Sequence, residues 1–295
     1  MRNIKLTVAY DGTDLHGWQI QPEQQTVQGL LTDVIERLTQ ERSTVNGAGR
    51  TDAGVHAWGQ VANFKTSSAM GAGEFLRALN ALLPPSVRVR EAQEVAEEFH
   101  ARHLAQAKTY RYRICRDAVL PPFTWRYVLH DPFPLNFAAM ADAARRFEGQ
   151  HDFTSFAAST GSEEEDRKRT MIRAVYSSQL IRAEGESPAH AQALSGEHFG
   201  DGEGSIQSEE WVYVVRGKSF LRHMVRKIVG TILEVGRGRL IAADVPGLLE
   251  RRDRTCSGTT APPQGLCLMS VEYPAQGEYP AFVSEAPAID VSDLQ

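Results

Sequence analysis

The sequence contains few cysteines and no long apolar run. Its three cysteines, Cys115, Cys256 and Cys267, are odd in number and far apart, which argues against a disulfide framework and favours a reducing compartment. No apolar stretch approaches the roughly 20 residues that span a bilayer. The first residues enter an alternating strand pattern without the apolar core of a signal peptide. We therefore expect a cytoplasmic protein that does not enter the membrane.

A net positive charge is also missing, because the formal net charge at pH 7 is −5. Taken alone, this value argues against a nucleic-acid-binding protein. The charge is uneven, however: segments 101–130 and 216–239 are rich in Lys and Arg, whereas 183–210 contains acids and neither Lys nor Arg. Such basic segments can form a local phosphate-binding face. The alternative is a set of solvated strand and helix faces.

Fingerprints of nucleotide and metal sites are absent as well. The sequence has no P-loop and no dinucleotide-binding glycine motif. No cluster of His, Cys and acidic residues has the spacing of metal ligands. We expect a protein that needs no cofactor and no metal.

Hydrophobic periodicity predicts the element order β-α-β-β-α-β twice in the 295 residues. Strands are predicted at 4–10, 43–45, 61–64, 87–95, 108–115, 173–181, 211–217 and 266–273, and helices at 26–39, 74–82, 137–147, 221–235 and 243–251. This order predicts an α+β fold of two ferredoxin-like halves with antiparallel sheets. The expected divisions are a first half at 1–105, a second half at 106–274 with an acidic insertion at about 183–209, and a flexible tail at 275–295.

The segment Gly47–His56 carries the strongest chemical signal. Three glycines in eight residues indicate a backbone that turns tightly and lets another molecule approach closely. Small neighbours leave the carboxylate of Asp52 open, and a nearby cation such as Arg50 would keep it ionised. The plain alternative is a hairpin loop in which Asp52 caps a turn. A metal site of Asp52 and His56 has too few ligands.

Five segments, taken in order along the chain, resemble the tRNA pseudouridine synthase A family. They are GRTDAGVHAWGQVANF at 49–64, FHAR at 99–102, YRY at 110–112, DFTSF at 152–156 and HMVRKIVG at 223–230. The resemblance covers about residues 3–274, apart from the acidic insertion. It implies two ferredoxin-like halves around a central cleft.

The resemblance also implies roles for individual residues. Asp52 matches the catalytic nucleophile, and Arg226 matches the arginine that pairs with it. Tyr110 matches the tyrosine that stacks on the flipped uracil, although a buried core tyrosine is the alternative. The remaining substrate-binding candidates are Arg50, Leu266, His56 and Arg102. His56 and Arg102 are expected to be either RNA contacts or braces of the loop.

The reaction implied by the resemblance is the isomerisation of uridine to pseudouridine in the anticodon arm of tRNA, at about positions 38 to 40. The target base must leave its stack, which costs a few kcal/mol. Attack on C1′, addition at C6 and proton removal at C2′ all remain open to Asp52. The family further implies a homodimer. The alternatives are a non-catalytic RNA-binding protein and a metal-dependent carboxylate hydrolase.

Overall fold

The computed structural model describes residues 1–159, 170–183 and 209–275, which form an α+β fold. The described strands are β1 (Arg2–Tyr10), β2 (Asn46–Gly47), β3 (His56–Thr66), β4 (Val87–Val95), β5 (Ala107–Cys115), β6 (Leu129–His130), β7 (Gly149–Asp152), β8 (Ile172–Ala183), β9 (Glu210–Gly217) and β10 (Leu266–Glu272). The described helices are α1 (Val27–Thr39), α2 (Ala72–Leu82), α3 (Phe137–Arg145), α4 (Met224–Gly236) and α5 (Asp244–Arg251). Short 3-10 turns occur at Thr154–Phe156 and Pro263–Gly265. The α+β class predicted from the sequence is confirmed.

All the described strands belong to one mixed sheet. Eight of them follow the order β4-β1-β3-β10-β5-β9-β8-β7, and the two short strands β2 and β6 pair with β3 and β5. The sequence predicted antiparallel sheets, one for each half, and the structure differs. The chain places β10 between β3 and β5, where Cys267 and Leu268 pair in parallel with His56 and Ala57. This short parallel seam makes the sheet continuous.

Helix α1 forms where the sequence predicted it. The hydroxyl oxygen of Thr26 accepts a hydrogen bond from the Gly29 N–H at 3.2 Å, which satisfies one of the free donors at the start of the helix. Val27, Leu31 and Ile35 are buried, and their four-residue spacing places them on one face against the sheet. The helix ends at Thr39, and Gln40 adopts the left-handed conformation that commonly stops a helix.

Three local predictions differ from the structure. The strand predicted at 43–45 lies instead at Asn46–Gly47, because only these residues pair with Asn63 and Ala62 of β3. The helix predicted from residue 221 begins at Met224, since Leu221–His223 forms a turn. The strands β6 and β7 were not predicted, because they are too short and too polar to show an alternating pattern.

The predicted acidic insertion and tail fall mostly outside the described residues, which stop at Ala183, resume at Glu209 and stop again at Ala275. Where the chain is described on both sides of the insertion, Ala183 of β8 pairs directly with Glu210 of β9. Among the described residues, none of the helices has the length and apolarity needed to cross a membrane.

Candidate active site

The loop between β2 and β3 is held in place at two of its residues. Thr51 accepts a hydrogen bond from the backbone N–H of Trp18 at 3.1 Å, and its hydroxyl lies 2.8 Å from the hydroxyl of Tyr10. The side-chain amide of Gln60 donates to the carbonyl of Gly49 at 2.9 Å. The loop is therefore fixed before it reaches its acidic residue, which favours a preorganised site over a mobile hairpin.

Gly54 lets this loop pack against the segment that leads into β10. Its φ angle is +77°, a backbone conformation that residues other than glycine rarely adopt. A Cβ atom at this position would lie 2.8 Å from the ring of Pro263. The glycine thus allows the loop to approach the 3-10 turn that precedes Leu266.

Asp52 lies on this loop with two cationic or ionisable side chains at one of its oxygens. Nη1 of Arg226 is 3.4 Å and Nε2 of His223 is 3.5 Å from Oδ2 of Asp52. The side chain of Asp52 is 23% exposed, so solvent or a ligand can reach the carboxylate. No described residue forms a hydrogen bond with Oδ1. The arrangement leaves one carboxylate oxygen without a hydrogen bond from the protein, while the other faces the guanidinium of Arg226.

Arg226 is fixed independently of Asp52. Its Nε donates to the carbonyl oxygen of Ala261 at 2.7 Å, and its own carbonyl accepts from the Ala261 N–H at 3.1 Å. The side chain is 13% exposed because α4 is buried on most of its surface. A guanidinium that is held in this way offers a fixed positive charge to the carboxylate.

Tyr110 and Leu266 lie on neighbouring strands beside the loop. Both side chains are buried, and the ring of Tyr110 meets that of Phe220 edge-to-face at 5.2 Å. The pKa of Tyr110 is raised, mainly by burial and further by the nearby Tyr10 and the negative charge of Asp52. Tyr110 is therefore within electrostatic reach of Asp52, and burial keeps its phenol protonated.

Arg50 and Arg102 are exposed at the surface. Nε of Arg50 donates to the side-chain oxygen of Gln19 at 3.1 Å. The backbone N–H of Arg102 donates to Nδ1 of His100 at 3.1 Å, and no described residue accepts a hydrogen bond from its guanidinium. Neither arginine forms a salt bridge with a described acid, so both keep their charge available to an anionic ligand.

His56 is buried and bonded through both ring nitrogens. Nδ1 accepts from the Gly12 N–H at 3.0 Å and also lies 3.2 Å from Oδ1 of Asp11. Nε2 is 3.0 Å from the carbonyl oxygen of Arg126. These are the contacts of a brace at the end of the loop, which was one of the two roles predicted for this residue.

Comparison with known proteins identifies the family. A sequence profile described as tRNA pseudouridine synthase matches residues 6–103 and 143–274. A tRNA pseudouridine synthase A of Solibacter usitatus (strain Ellin6076) is 44% identical over 273 residues, which cover 92% of this chain and 100% of the relative. The protein of the same name from Citrifermentans bemidjiense is 42% identical over 274 residues, with 92% and 98% covered. This chain belongs to the tRNA pseudouridine synthase family.

Membership in the tRNA pseudouridine synthase family confirms the resemblance and the expected enzyme class, an isomerase that forms pseudouridine. A more distant relative, the tRNA pseudouridine synthase A of Caldicellulosiruptor saccharolyticus, is 38% identical over 273 residues, which cover 92% of this chain and 100% of the relative. The matches extend over nearly the whole length of these relatives.

Two residues of this synthase that the sequence analysis did not select lie at the site. His223 contacts Asp52, and its only sequence signal is its place in the HMVRKIVG segment. Lys108 lies two residues before Tyr110 on the same face of β5, and its Nζ donates to the carbonyl of Ala48 at 2.8 Å. Burial, helped by Arg102 and Arg173, lowers the pKa of Lys108 to about 8.

Metal chemistry was not expected at this synthase site. Within the described ranges, no three His, Cys, Asp or Glu side chains are grouped so that they could hold a metal ion.

Proposed function

We propose that this protein isomerises uridine to pseudouridine in the anticodon arm of tRNA, at about positions 38 to 40, and that Asp52 is the reacting carboxylate. The observation that carries the proposal is the position of Asp52. It is a partly exposed carboxylate with Arg226 at Oδ2, and no described residue forms a hydrogen bond with Oδ1. A carboxylate in this position can act as a nucleophile or a base.

The surroundings of Asp52 suit a base that has left its stack. An extruded uracil needs an aromatic or apolar surface to replace its stacking partners. Tyr110 and Leu266 offer such a surface beside the loop. Arg50 and Arg102, which are both exposed, are assigned to the RNA backbone, where arginines commonly bind phosphate oxygens.

The strand order supports the proposal that the fold consists of two ferredoxin-like halves around a cleft. The first half has the spatial order β4-β1-β3-β2, and the second half has the order β10-β5-β9-β8. In both, the fourth of these strands along the chain lies beside the first, followed by the third and then the second. The proposed halves are 1–105 and 106–274. Asp52 comes from the first and Arg226, Tyr110 and Leu266 from the second, so the reacting groups meet between them.

We also propose that the enzyme works as a homodimer in the cytoplasm. The loop between β5 and α3 exposes several large apolar side chains: Val119, Phe123, Trp125 and Phe133. Next to it lies a cavity of about 540 Å³ lined by Leu135, Leu240 and Ile241. An exposed apolar area of this kind is typical of an interface between protein chains.

The experiment that tests this function is a map of pseudouridine in tRNA. Unmodified tRNA transcripts are incubated with the purified protein, and pseudouridine is located by reverse transcription after carbodiimide treatment. We expect new pseudouridine in the anticodon arm at about positions 38 to 40 and none with the Asp52→Asn variant. Pseudouridine only in another arm would contradict the site, and no pseudouridine in any tRNA would contradict the function.

A further inference from the structure

His223 has an unusual backbone at the edge of the site. It immediately precedes α4, and its φ angle of +62° is in the left-handed region. This conformation is energetically unfavourable for a residue that has a Cβ atom. This conformation brings Nε2 to 3.5 Å from Oδ2 of Asp52, and the side chain is 27% exposed. Gln40 has a similar φ angle where it stops a helix, so the backbone of His223 supports a functional role only together with the position of its side chain beside Asp52.

Nε2 is the ring nitrogen of His223 that faces Asp52, at 3.5 Å from Oδ2. The negative charge of the carboxylate favours the tautomer with its proton on Nε2, so the neutral imidazole carries its lone pair on Nδ1. No described residue forms a hydrogen bond with Nδ1. Burial lowers the pKa of His223, and the positive charges of Arg226, Arg222 and Lys227 lower it further against the opposing effect of Asp52. The imidazole is therefore neutral at pH 7, with an open base oriented by a carboxylate.

The proposed reaction needs a base of this kind. The N1–C1′ bond breaks and the C5–C1′ bond forms, after which C5 still carries its hydrogen. The C5–H bond must then break, its electron pair stays in the ring to restore the C5=C6 double bond, and N1 gains a proton. No proton is consumed overall, but one must be taken from C5 and one delivered to N1.

The other groups near Asp52 are poorly suited to accept this proton. The guanidinium of Arg226 offers only hydrogen-bond donors and no acceptor. Tyr110 holds its proton because its pKa is raised. Lys108 is engaged with the carbonyl of Ala48, and His56 is engaged through both ring nitrogens. Two of the three reactions open to Asp52, at C1′ and at C2′, take place at the sugar, and the present inference takes Asp52 to act there.

We propose that His223 is a further catalytic residue, which accepts the C5 proton of the rotated uracil on Nδ1 and returns it to N1. This inference rests on the proposed function, because it assumes that uracil is rearranged beside Asp52. The protein then divides the work between two adjacent groups: Asp52 acts at the sugar and His223 acts at the base.

Two variants separate the imidazole from the backbone. His223→Asn and His223→Gly both tolerate the left-handed conformation, and neither supplies a base of comparable strength. The substrates are tRNA transcripts that contain either ordinary uridine or uridine with deuterium at C5. Single-turnover rates, tRNA affinity and melting temperature are measured on the same preparations.

We expect both variants to melt at or above the wild-type temperature and to bind tRNA as the wild type does. Their single-turnover rates should fall about 100-fold or more, which is the usual contribution of a general base. The ratio of rates for hydrogen and deuterium should rise above the wild-type ratio, because removal of the C5 proton has become limiting. Rates within twofold of the wild type, or slow rates with an unchanged isotope ratio, would overturn the proposal.

The same assay distinguishes this inference from the proposed function. If the wild-type protein forms no pseudouridine, the proposed function fails and the role of His223 fails with it. If the wild type is active and Asp52→Asn is inactive with both labels, the proposed function stands. The isotope ratio of the His223 variants then decides the present inference alone.

Discussion

Nη1 of Arg226 lies 3.4 Å from Oδ2 of Asp52, although the two residues are 174 positions apart in the chain. The guanidinium is already fixed by the carbonyl of Ala261, so the loop brings its carboxylate to a cation that does not need to move. Such preorganised charge is a common source of catalytic power. Replacing Asp52 therefore has one expected effect on activity and another on the free energy of unfolding.

Asp52→Asn should abolish pseudouridine formation while the protein folds and binds tRNA. Asparagine keeps the shape of the side chain and removes its charge. Binding should persist because tRNA affinity comes mainly from the contacts of Lys and Arg side chains with phosphates. Because the ion pair is partly exposed and Arg226 keeps its bond to Ala261, the free energy of unfolding should fall by about 1 kcal/mol or less. Single-turnover product formation, tRNA binding and urea unfolding check these outcomes. Substantial product from this variant would remove Asp52 from the mechanism.

Tyr110→Phe should retain tRNA affinity and stability close to those of the wild type. The ring remains available for stacking, and the hydroxyl forms no hydrogen bond with a described residue. Tyr110→Leu keeps an apolar side chain but lacks the aromatic face, so it should lose roughly 1–3 kcal/mol of stacking with the base. Tyr110→Ala should in addition lower the free energy of unfolding by about 3–5 kcal/mol, because the ring is buried against Phe220. Equal activity of the Phe and Leu variants would contradict a stacking role.

Lys108 should give the protein a distinctive pH dependence of stability. Its pKa is about 8 in the folded protein, below the ordinary 10.5, so between these values the unfolded chain binds more protons. Below pH 8 the charge of Lys108 is buried on folding, and this lowers the free energy of unfolding by its full amount. The loss disappears as the pH rises to about 10.5. The free energy of unfolding of the wild type should therefore rise, relative to Lys108→Met, by a few kcal/mol across this window.

Urea unfolding at several pH values between 7.5 and 10.5 measures this difference. Lys65→Met is the matched control, because Lys65 is exposed and paired with Glu97 at the surface. Parallel pH curves for the wild type and Lys108→Met would show that Lys108 has an ordinary pKa.

Replacing residues 184–208 by Asn-Gly should preserve both the fold and the activity. Ala183 and Glu210 already pair across β8 and β9, so Asn-Gly together with Glu209 can close the hairpin as a three-residue loop. The deleted segment is acidic and rich in Gly and Ser, a composition that buries little core. The melting temperature should stay within a few degrees of the wild type, and tRNA modification should proceed at a similar rate. A large loss of either would mean that the segment binds to the folded part or to the RNA.

Much of the fold could be predicted from local patterns. The strand at Val87–Val95 and the helix after Thr26 follow directly from alternation, capping and the spacing of apolar residues. The seam between β3 and β10 could not be predicted in this way, because two paired residues on strands far apart in the chain leave no periodic signal. The short strands β6 and β7 were missed for a similar reason.

The site was predicted unevenly. Asp52 was selected as an open carboxylate because glycines and small residues surround it, whereas its catalytic role and the selection of Arg226 and Tyr110 came from the family resemblance. His223 was missed because its contact with Asp52 depends on a left-handed backbone angle that a histidine rarely adopts. The role of Lys108 depends on a bond to the carbonyl of Ala48, which no side-chain pattern encodes.

The seam also has a consequence for the order of events at the ribosome. The strands β1, β3 and β4 can pair soon after they are synthesised, but β10, which joins them to β5, is made last among the described strands. Until Leu266–Glu272 has emerged and been inserted, the loop of Asp52 and the strand of Tyr110 belong to separate pieces of sheet. A chain whose translation stops before β10 therefore has Asp52 but lacks the strand that joins its loop to β5. We expect such incomplete copies to form no pseudouridine.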